Sequence, residues 1–147
     1  MKVGFEDRFM EIQAELVELC LEAVGEVSVT RVYIYLCIED VVQLFNMFCE
    51  TDGEYKKCYA LGVEKEAAGV LLHRGSFEMI DKIRDLCDEY NLPCPAEVKS
   101  IYDVETGGFT LKCQYEWMYI YLKPNKFEMF EMWYDEVKAA KGTGNRA

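Results

Sequence analysis

Apolar residues recur at helical spacing along the first 24 positions of the chain. They follow the i, i+3, i+4 and i+7 spacing that is typical of an amphipathic helix, at Phe5, Phe9, Ile12, Leu16, Leu19 and Ala23. Gly25 is placed to end such a helix. The pattern therefore predicts a helix over residues 5–24 that buries one of its sides.

Two further stripes run along the same predicted helix. One is apolar and consists of Met10, Ala14, Val17 and Leu21, and the other is acidic and consists of Glu11, Glu15, Glu18 and Glu22. Like charges at this spacing destabilise a helix by roughly 0.2–0.5 kcal/mol per pair. We therefore take the four glutamates, with Met10, Val17 and Leu21, as candidate partner-binding residues. The alternative is that the helix packs between two layers and the glutamates only keep it soluble.

Three β-rich runs follow the helix, over residues 31–38, 41–49 and 55–61. Asp52-Gly53 between the second and third is a hairpin signal. The three runs predict an antiparallel meander. Residues 64–90 are helical in character, with a break expected at Gly75 and Ser76 as the N-cap of the second part.

The remaining residues predict a second hairpin and a last helix. Strands are expected over 97–103 and 109–116, and residues 117–122 are a short extension or a sixth strand. A helix then runs from about 124 to 140. The fold class is α+β, with an antiparallel sheet of about five to six strands and N-terminal, middle and C-terminal helices. We expect one domain over residues 1–140 and a flexible C-terminal tail over 141–147.

Composition places the chain among ordinary globular domains. It has 147 residues, of which 51% are hydrophobic and 14% aromatic, and this excludes a disordered chain. Seven cysteines without a C-x-x-C pair do not predict zinc binding. Their number, and the lack of a signal-peptide pattern, lead us to expect the cytoplasm. No apolar stretch approaches about 18 residues, so no membrane span is expected.

Negative charge is concentrated in the first 55 residues. This segment holds 3 basic and 12 acidic residues, a net charge of −9, and the other 92 residues hold 13 basic and 15 acidic ones, a net charge of −2. Such a surface repels nucleic acid and anionic membranes, and it attracts basic partners. Because no basic cluster is present either, nucleic-acid binding is not expected.

The sequence contains no catalytic signature. His73 is the only histidine, so a nucleophile with a histidine base would need one of the seven cysteines beside it. No phosphate-binding glycine motif is present, and residues 103–108 fit a hairpin turn better than a calcium loop. We therefore predict no enzymatic activity, no metal and no cofactor. A carboxylate- and metal-dependent hydrolase remains the less favoured alternative.

The second hairpin carries a family resemblance. Residues 92–99 and 101–107, read as L-P-C-P-A-E-V-K and I-Y-D-V-E-T-G, resemble the corresponding hairpin of YezG-like proteins, as do Phe109 and Tyr115. These are small bacterial immunity proteins of contact-dependent or polymorphic toxin systems. The order of elements is similar as well, from the amphipathic first helix through the aromatic strand around Tyr33 and Tyr35 to a last helix with Trp133.

The resemblance implies a cytoplasmic protein that binds a cognate toxin domain and blocks it. Such toxins are often nucleases with a basic active-site groove, which an acidic protein would complement. The resemblance carries over no catalytic residue and no toxin-binding residue. The leading hypothesis is therefore an immunity protein that acts by stoichiometric binding, with a homo-oligomeric interaction domain, such as a homodimer, as the alternative.

Overall fold

The computed structural model describes residues 4–39, 42–116 and 126–142. The chain divides into two compact units, with the boundary between Glu116 and Trp117. The first unit contains three α-helices and five strands, and the second contains the last helix. The possible sixth strand at 117–122 lies outside the described residues.

The order of elements confirms the predicted α+β class. Helix α1 spans Phe5–Val24 and precedes strands β1 (Arg31–Glu39), β2 (Val42–Thr51) and β3 (Glu54–Lys57). Helix α2 (Lys65–His73), a π-helical segment (Arg74–Met79) and helix α3 (Ile80–Glu89) form one continuous helical run. Strands β4 (Glu97–Asp103) and β5 (Phe109–Gln114) follow, and β5 ends two residues before its predicted end. Helix α4 (Lys126–Gly142) extends two residues beyond its predicted end, and the rest of the predicted tail, residues 143–147, lies outside the described residues.

The five strands form one antiparallel sheet in the order β3-β2-β1-β4-β5. The predicted meander β1-β2-β3 is confirmed, and the second hairpin adds to the free side of β1. Strand β1 is thus central, with Tyr33 opposite Phe48 on one side and Ile101 on the other. Since β1 pairs on both edges, its continuous apolar run is buried along most of its length.

Strand β3 is shorter than predicted. It ends at Lys57, and a 3₁₀ turn at Cys58–Ala60 follows, closed by a hydrogen bond from the Leu61 amide to the Cys58 carbonyl (3.2 Å). Cys58 and Leu61 are both buried in the core. Residues three apart point to opposite faces of a strand, whereas a 3₁₀ turn places them on the same side. Burial of both side chains therefore favours the turn.

The core of the first unit lies between helices α1 to α3 and one face of the sheet. The sheet supplies alternate residues of its strands, including Val32, Ile34, Leu36, Phe45, Met47 and Val98. Helix α1 supplies most of its predicted stripe, with Phe9, Ile12, Leu16 and Leu19 buried. The apolar residues that recur every 3.6 positions on the helix thus pack against those that recur every second position on the strands, and together they form one apolar layer.

The middle helix is not broken at Gly75, and Ser76 is not an N-cap. The chain instead widens into the π-helical segment, which lies against strand β2. The Ser76 carbonyl accepts a hydrogen bond from Gln43 Nε2 (2.7 Å), and its hydroxyl accepts one from the Phe45 amide (3.3 Å). The Ser76 hydroxyl therefore bonds to the sheet and does not cap the helix that follows.

Gly75 allows this close approach. A Cβ atom built on it would lie 2.4 Å from Cγ of the buried Phe45 ring, well inside van der Waals contact. A Cβ atom on Gly69, in the middle of α2, would meet nothing within 4 Å. Only the first of these two helical glycines is therefore required by packing.

We expect Gly75→Ala to destabilise the protein by about 1–3 kcal/mol, because the added methyl group overpacks the contact with Phe45. Gly69→Ala is the matched control, and it should stabilise the protein by roughly 0.5–1 kcal/mol, since alanine favours a helix. Urea unfolding followed by circular dichroism measures both free energies of unfolding. Equal shifts in the two variants would contradict the packing role of Gly75.

Candidate functional site

A groove open to solvent runs between helix α1 and the paired ends of β4 and β5. It has a volume of about 300 Å³ and a mostly apolar wall, formed by Met10, Gln13, Ala14, Val17, Glu18, Leu21, Tyr102 and Phe109. We call it the α1 groove. It contains all four members of the predicted apolar stripe and one member of the acidic stripe. The structure thus brings together four of the seven candidate residues, namely Met10, Val17, Leu21 and Glu18.

The exposure of these residues differs along the groove. Met10 is 41% exposed, so it lies on the rim, whereas Val17 is buried and Leu21 is half-buried. Tyr102 and Phe109 are half-buried on the opposite wall. Val17 therefore serves the core as well as the groove, and Met10 is the most accessible of the apolar candidates.

The other three glutamates face away from the α1 groove. Glu11 and Glu15 lie beside α3, and Glu22 lies beside α2 in a depression that also contains Arg74. Glu15 Oε2 is 3.0 Å from Lys82 Nζ. The four glutamates thus do not form one binding surface, although they are in line along the helix.

Helices α1 and α3 run antiparallel and are joined by two ion pairs. Arg8 Nη1 is 2.6 Å from Glu89 Oε2. Glu15 lies seven residues after Arg8 on α1, and its partner Lys82 lies seven residues before Glu89 on α3. The hydrogen bonds that Arg74 donates to the Glu78 carboxylate raise the pKa of Arg74, and the charges of Glu15 and Glu22 contribute to the same rise. Part of the acidic stripe therefore serves the contact between helices. Exposed pairs of this kind contribute little to stability.

Glu11, Glu18 and Glu22 are the exposed members of the acidic stripe that form no ion pair within the described part of the chain. Glu11 and Glu18 lie seven residues apart, about two helical turns. Glu18 lines the α1 groove, whereas Glu11 lies on the side of the helix that is next to α3. Of these acids, only Glu18 places negative charge in the wall of the apolar groove.

Gln13 is a residue of the groove that the sequence analysis did not single out. It is only 1% exposed, and neither its Oε1 nor its Nε2 atom has a hydrogen-bond partner among the described residues. Buried polar side chains are usually hydrogen-bonded. A signal was available in the sequence: Gln13 lies within the apolar arc of α1, between Phe9 and Leu16, where a polar residue breaks the pattern.

A second charged cluster lies on the opposite face of the sheet and has a structural explanation. Arg31 Nη1 is 3.0 Å from Glu50 Oε1, and Arg31 Nε is 3.4 Å from Asp103 Oδ2. Asp103 also accepts hydrogen bonds from the amides of Glu105 and Thr106, both at 3.1 Å. The hydrogen bond from the Thr106 amide is the main cause of the lowered pKa of Asp103. Its carboxylate therefore closes the predicted hairpin turn between β4 and β5.

No described thiol has the environment of a nucleophile. All seven cysteines are free, and five of them are buried. Burial raises the pKa of Cys20 well above its usual range, and it raises the pKa of Cys49 and of Cys94 to about 12. A nucleophilic thiol needs the opposite shift. The exposed imidazole ring of His73 contacts the Phe77 ring, with 5.1 Å between the two ring centroids.

Across residues 4–39, 42–116 and 126–142, no group of three or more His, Cys, Asp or Glu side chains is placed to hold a metal ion. In the same residues no helix has both the length and the apolar character needed to cross a membrane. No family model matches the chain, and no curated protein is significantly similar to it.

The state of the thiols can be tested by alkylation. At pH 8, Cys49 and Cys94 should react with iodoacetamide at least ~100-fold more slowly in the native protein than in the urea-unfolded protein, because a pKa near 12 leaves little thiolate at either residue. Mass spectrometry after timed quenching measures both rates. A single cysteine that reacts rapidly in the native protein would reveal an activated thiol.

The same shift has a consequence for stability. Burial raises the pKa of Cys49 in the folded state above its unfolded-state value. Its neutral thiol therefore makes its full contribution to the free energy of unfolding when the pH is below the unfolded-state pKa. That contribution is lost as the pH rises towards 12.

Proposed function

We propose that this protein is an immunity protein that binds a cognate toxin domain and neutralises it by stoichiometric binding. The observation that carries the proposal is the α1 groove, an apolar groove open to solvent whose one acid, Glu18, forms no ion pair with the described residues. Apolar anchors inside a charged rim are typical of surfaces that bind other proteins. The net charge of −11 favours a partner with a basic surface.

The proposed mechanism is occlusion of a basic toxin surface. A nuclease presents cationic side chains to the phosphates of its substrate. Glu11 and Glu18 would occupy the positions of such phosphates, since both carboxylates are exposed and form no ion pair with the described residues. The negative charge of the first 55 residues would attract the toxin at a distance and so raise the rate of association.

Tight binding needs more than charge. Exposed ion pairs contribute little free energy, whereas apolar side chains that leave water on binding contribute most of it. Met10 is placed to supply such a contact on the rim, with Phe109 on the opposite wall. In this proposal the groove therefore provides affinity, and the glutamates raise the rate of association and orient the toxin.

The decisive experiment is co-expression with the toxin domain encoded by the neighbouring gene. Cells should survive only when this protein is present, and light scattering of the purified mixture should give a defined stoichiometric complex. An active-site variant of the toxin serves as the control for binding without toxicity. Failure to bind and to protect would refute the proposal. Sedimentation of the free protein tests the homodimer alternative in the same preparation.

Charge reversal separates the binding glutamates from the structural ones. Glu11→Lys with Glu18→Lys should lower the association rate for the toxin about tenfold or more at low salt, with a weaker salt dependence. The control pair Asp88→Lys with Glu116→Lys makes the same change in net charge at exposed acids outside the α1 groove. Stopped-flow fluorescence measures both rates. An equal loss in the two pairs would mean that only total charge matters.

A further inference from the structure

We propose that Gln13 is the specificity-determining residue of the α1 groove and that it hydrogen-bonds the backbone of a basic segment of the bound protein. The inference rests on the proposed function, because it assigns the way in which that partner is recognised. It is carried by two observations: an open apolar groove, and a buried amide in its wall whose two polar atoms have no hydrogen-bond partner among the described residues.

The chemistry of the amide defines the missing group. A glutamine side chain offers one carbonyl acceptor and an NH₂ donor side by side. A peptide group offers the complementary pair, an N–H donor and a C=O acceptor. An extended segment in the groove could therefore satisfy both Oε1 and Nε2 of Gln13, which the described residues leave unbonded.

Access to the amide requires a movement of the rim. Gln13 is 1% exposed, so an occupant reaches its polar atoms only after a neighbouring side chain has shifted. Met10 is the neighbour best suited to move, because it lies on the rim and its side chain is unbranched and flexible. Ala14 presents little bulk in the same wall.

Charge determines which kind of segment fits. Glu18 is the single charged residue among those that line the groove, and it is acidic. The one basic residue of α1, Arg8, is already paired with Glu89. The occupant is therefore a protein segment that alternates apolar side chains, which enter the groove, with Lys or Arg side chains, which meet the rim.

The first test compares two variants that each remove a buried polar group. Gln13→Met keeps the length of the side chain and should weaken toxin binding about tenfold or more, mainly through faster dissociation. Ser100→Ala is the matched control, since Ser100 is also 1% exposed and its hydroxyl is also unpartnered, but it does not line the groove. It should leave the affinity unchanged. Surface plasmon resonance measures both.

Stability distinguishes this role from a purely structural one. If the Gln13 amide forms its hydrogen bonds only with the bound protein, Gln13→Met should unfold at the same urea concentration as the wild type or at a higher one. The reason is that the substitution removes a buried amide that is unbonded in the free protein. A variant that loses stability and keeps its affinity would show that the amide bonds only trapped water, and this would overturn the inference.

A second test does not depend on the toxin. The probe is the peptide acetyl-Lys-Leu-Lys-Leu-Lys-amide at millimolar concentration, and its control is the same peptide with N-methylated leucines, which lack two backbone donors. The Gln13 side-chain NH₂ signals in a ¹H–¹⁵N spectrum should shift with the first peptide and not with the second. Equal shifts, or no shift with either, would overturn the inference. Toxin neutralisation without such a shift would leave the proposed function standing and refute the role of Gln13.

Discussion

The contact between Gly75 and the ring of Phe45 determines where the helices lie on the sheet. The missing Cβ atom lets the π-helical segment touch β2, and the two hydrogen bonds of Ser76 hold it there. Helix α3 continues from this point and runs antiparallel to α1, and two exposed ion pairs join the two helices. The flank of α1 that faces away from α3 then lies against Tyr102 and Phe109, where the groove forms. The candidate site is therefore a consequence of helix placement on the sheet.

The acidic stripe of α1 performs two different tasks. Glu15 pairs with Lys82, and the charges of Glu15 and Glu22 act on Arg74, so these two glutamates belong to the contact between helices. Glu11 and Glu18 have no such neighbour of opposite charge in an ion pair within the described residues. A single line of like charges on an isolated helix is mildly unfavourable, and the bases of the neighbouring helix offset that cost on one flank. Glu18, on the flank that is open to a partner, has no such base beside it among the residues that line the groove.

Sequence patterns predicted the elements better than their contacts. The bounds of α1 and β4 follow directly from periodicity, and the meander follows from the Asp52-Gly53 turn. Periodicity could not predict the π-helical segment, because its cause is a contact between residues 30 positions apart, Phe45 and Gly75. It placed Glu15 and Glu18 in one stripe, and only the position of α3 separates them. Local patterns describe a helix, but they do not say which element lies beside each of its faces.

Gln13 shows how a departure from the pattern can be informative. The arc of α1 that faces the core is otherwise apolar, and an apolar residue at this position would avoid the cost of an unbonded amide. Charge alone gives a partner speed and orientation but little discrimination, since many proteins carry basic surfaces. A buried amide discriminates more strongly, because an occupant that cannot pair with it leaves two polar atoms unbonded away from water. The α1 groove therefore selects a partner by three properties: an apolar surface, a positive charge near Glu18, and a peptide group that can bond to Gln13.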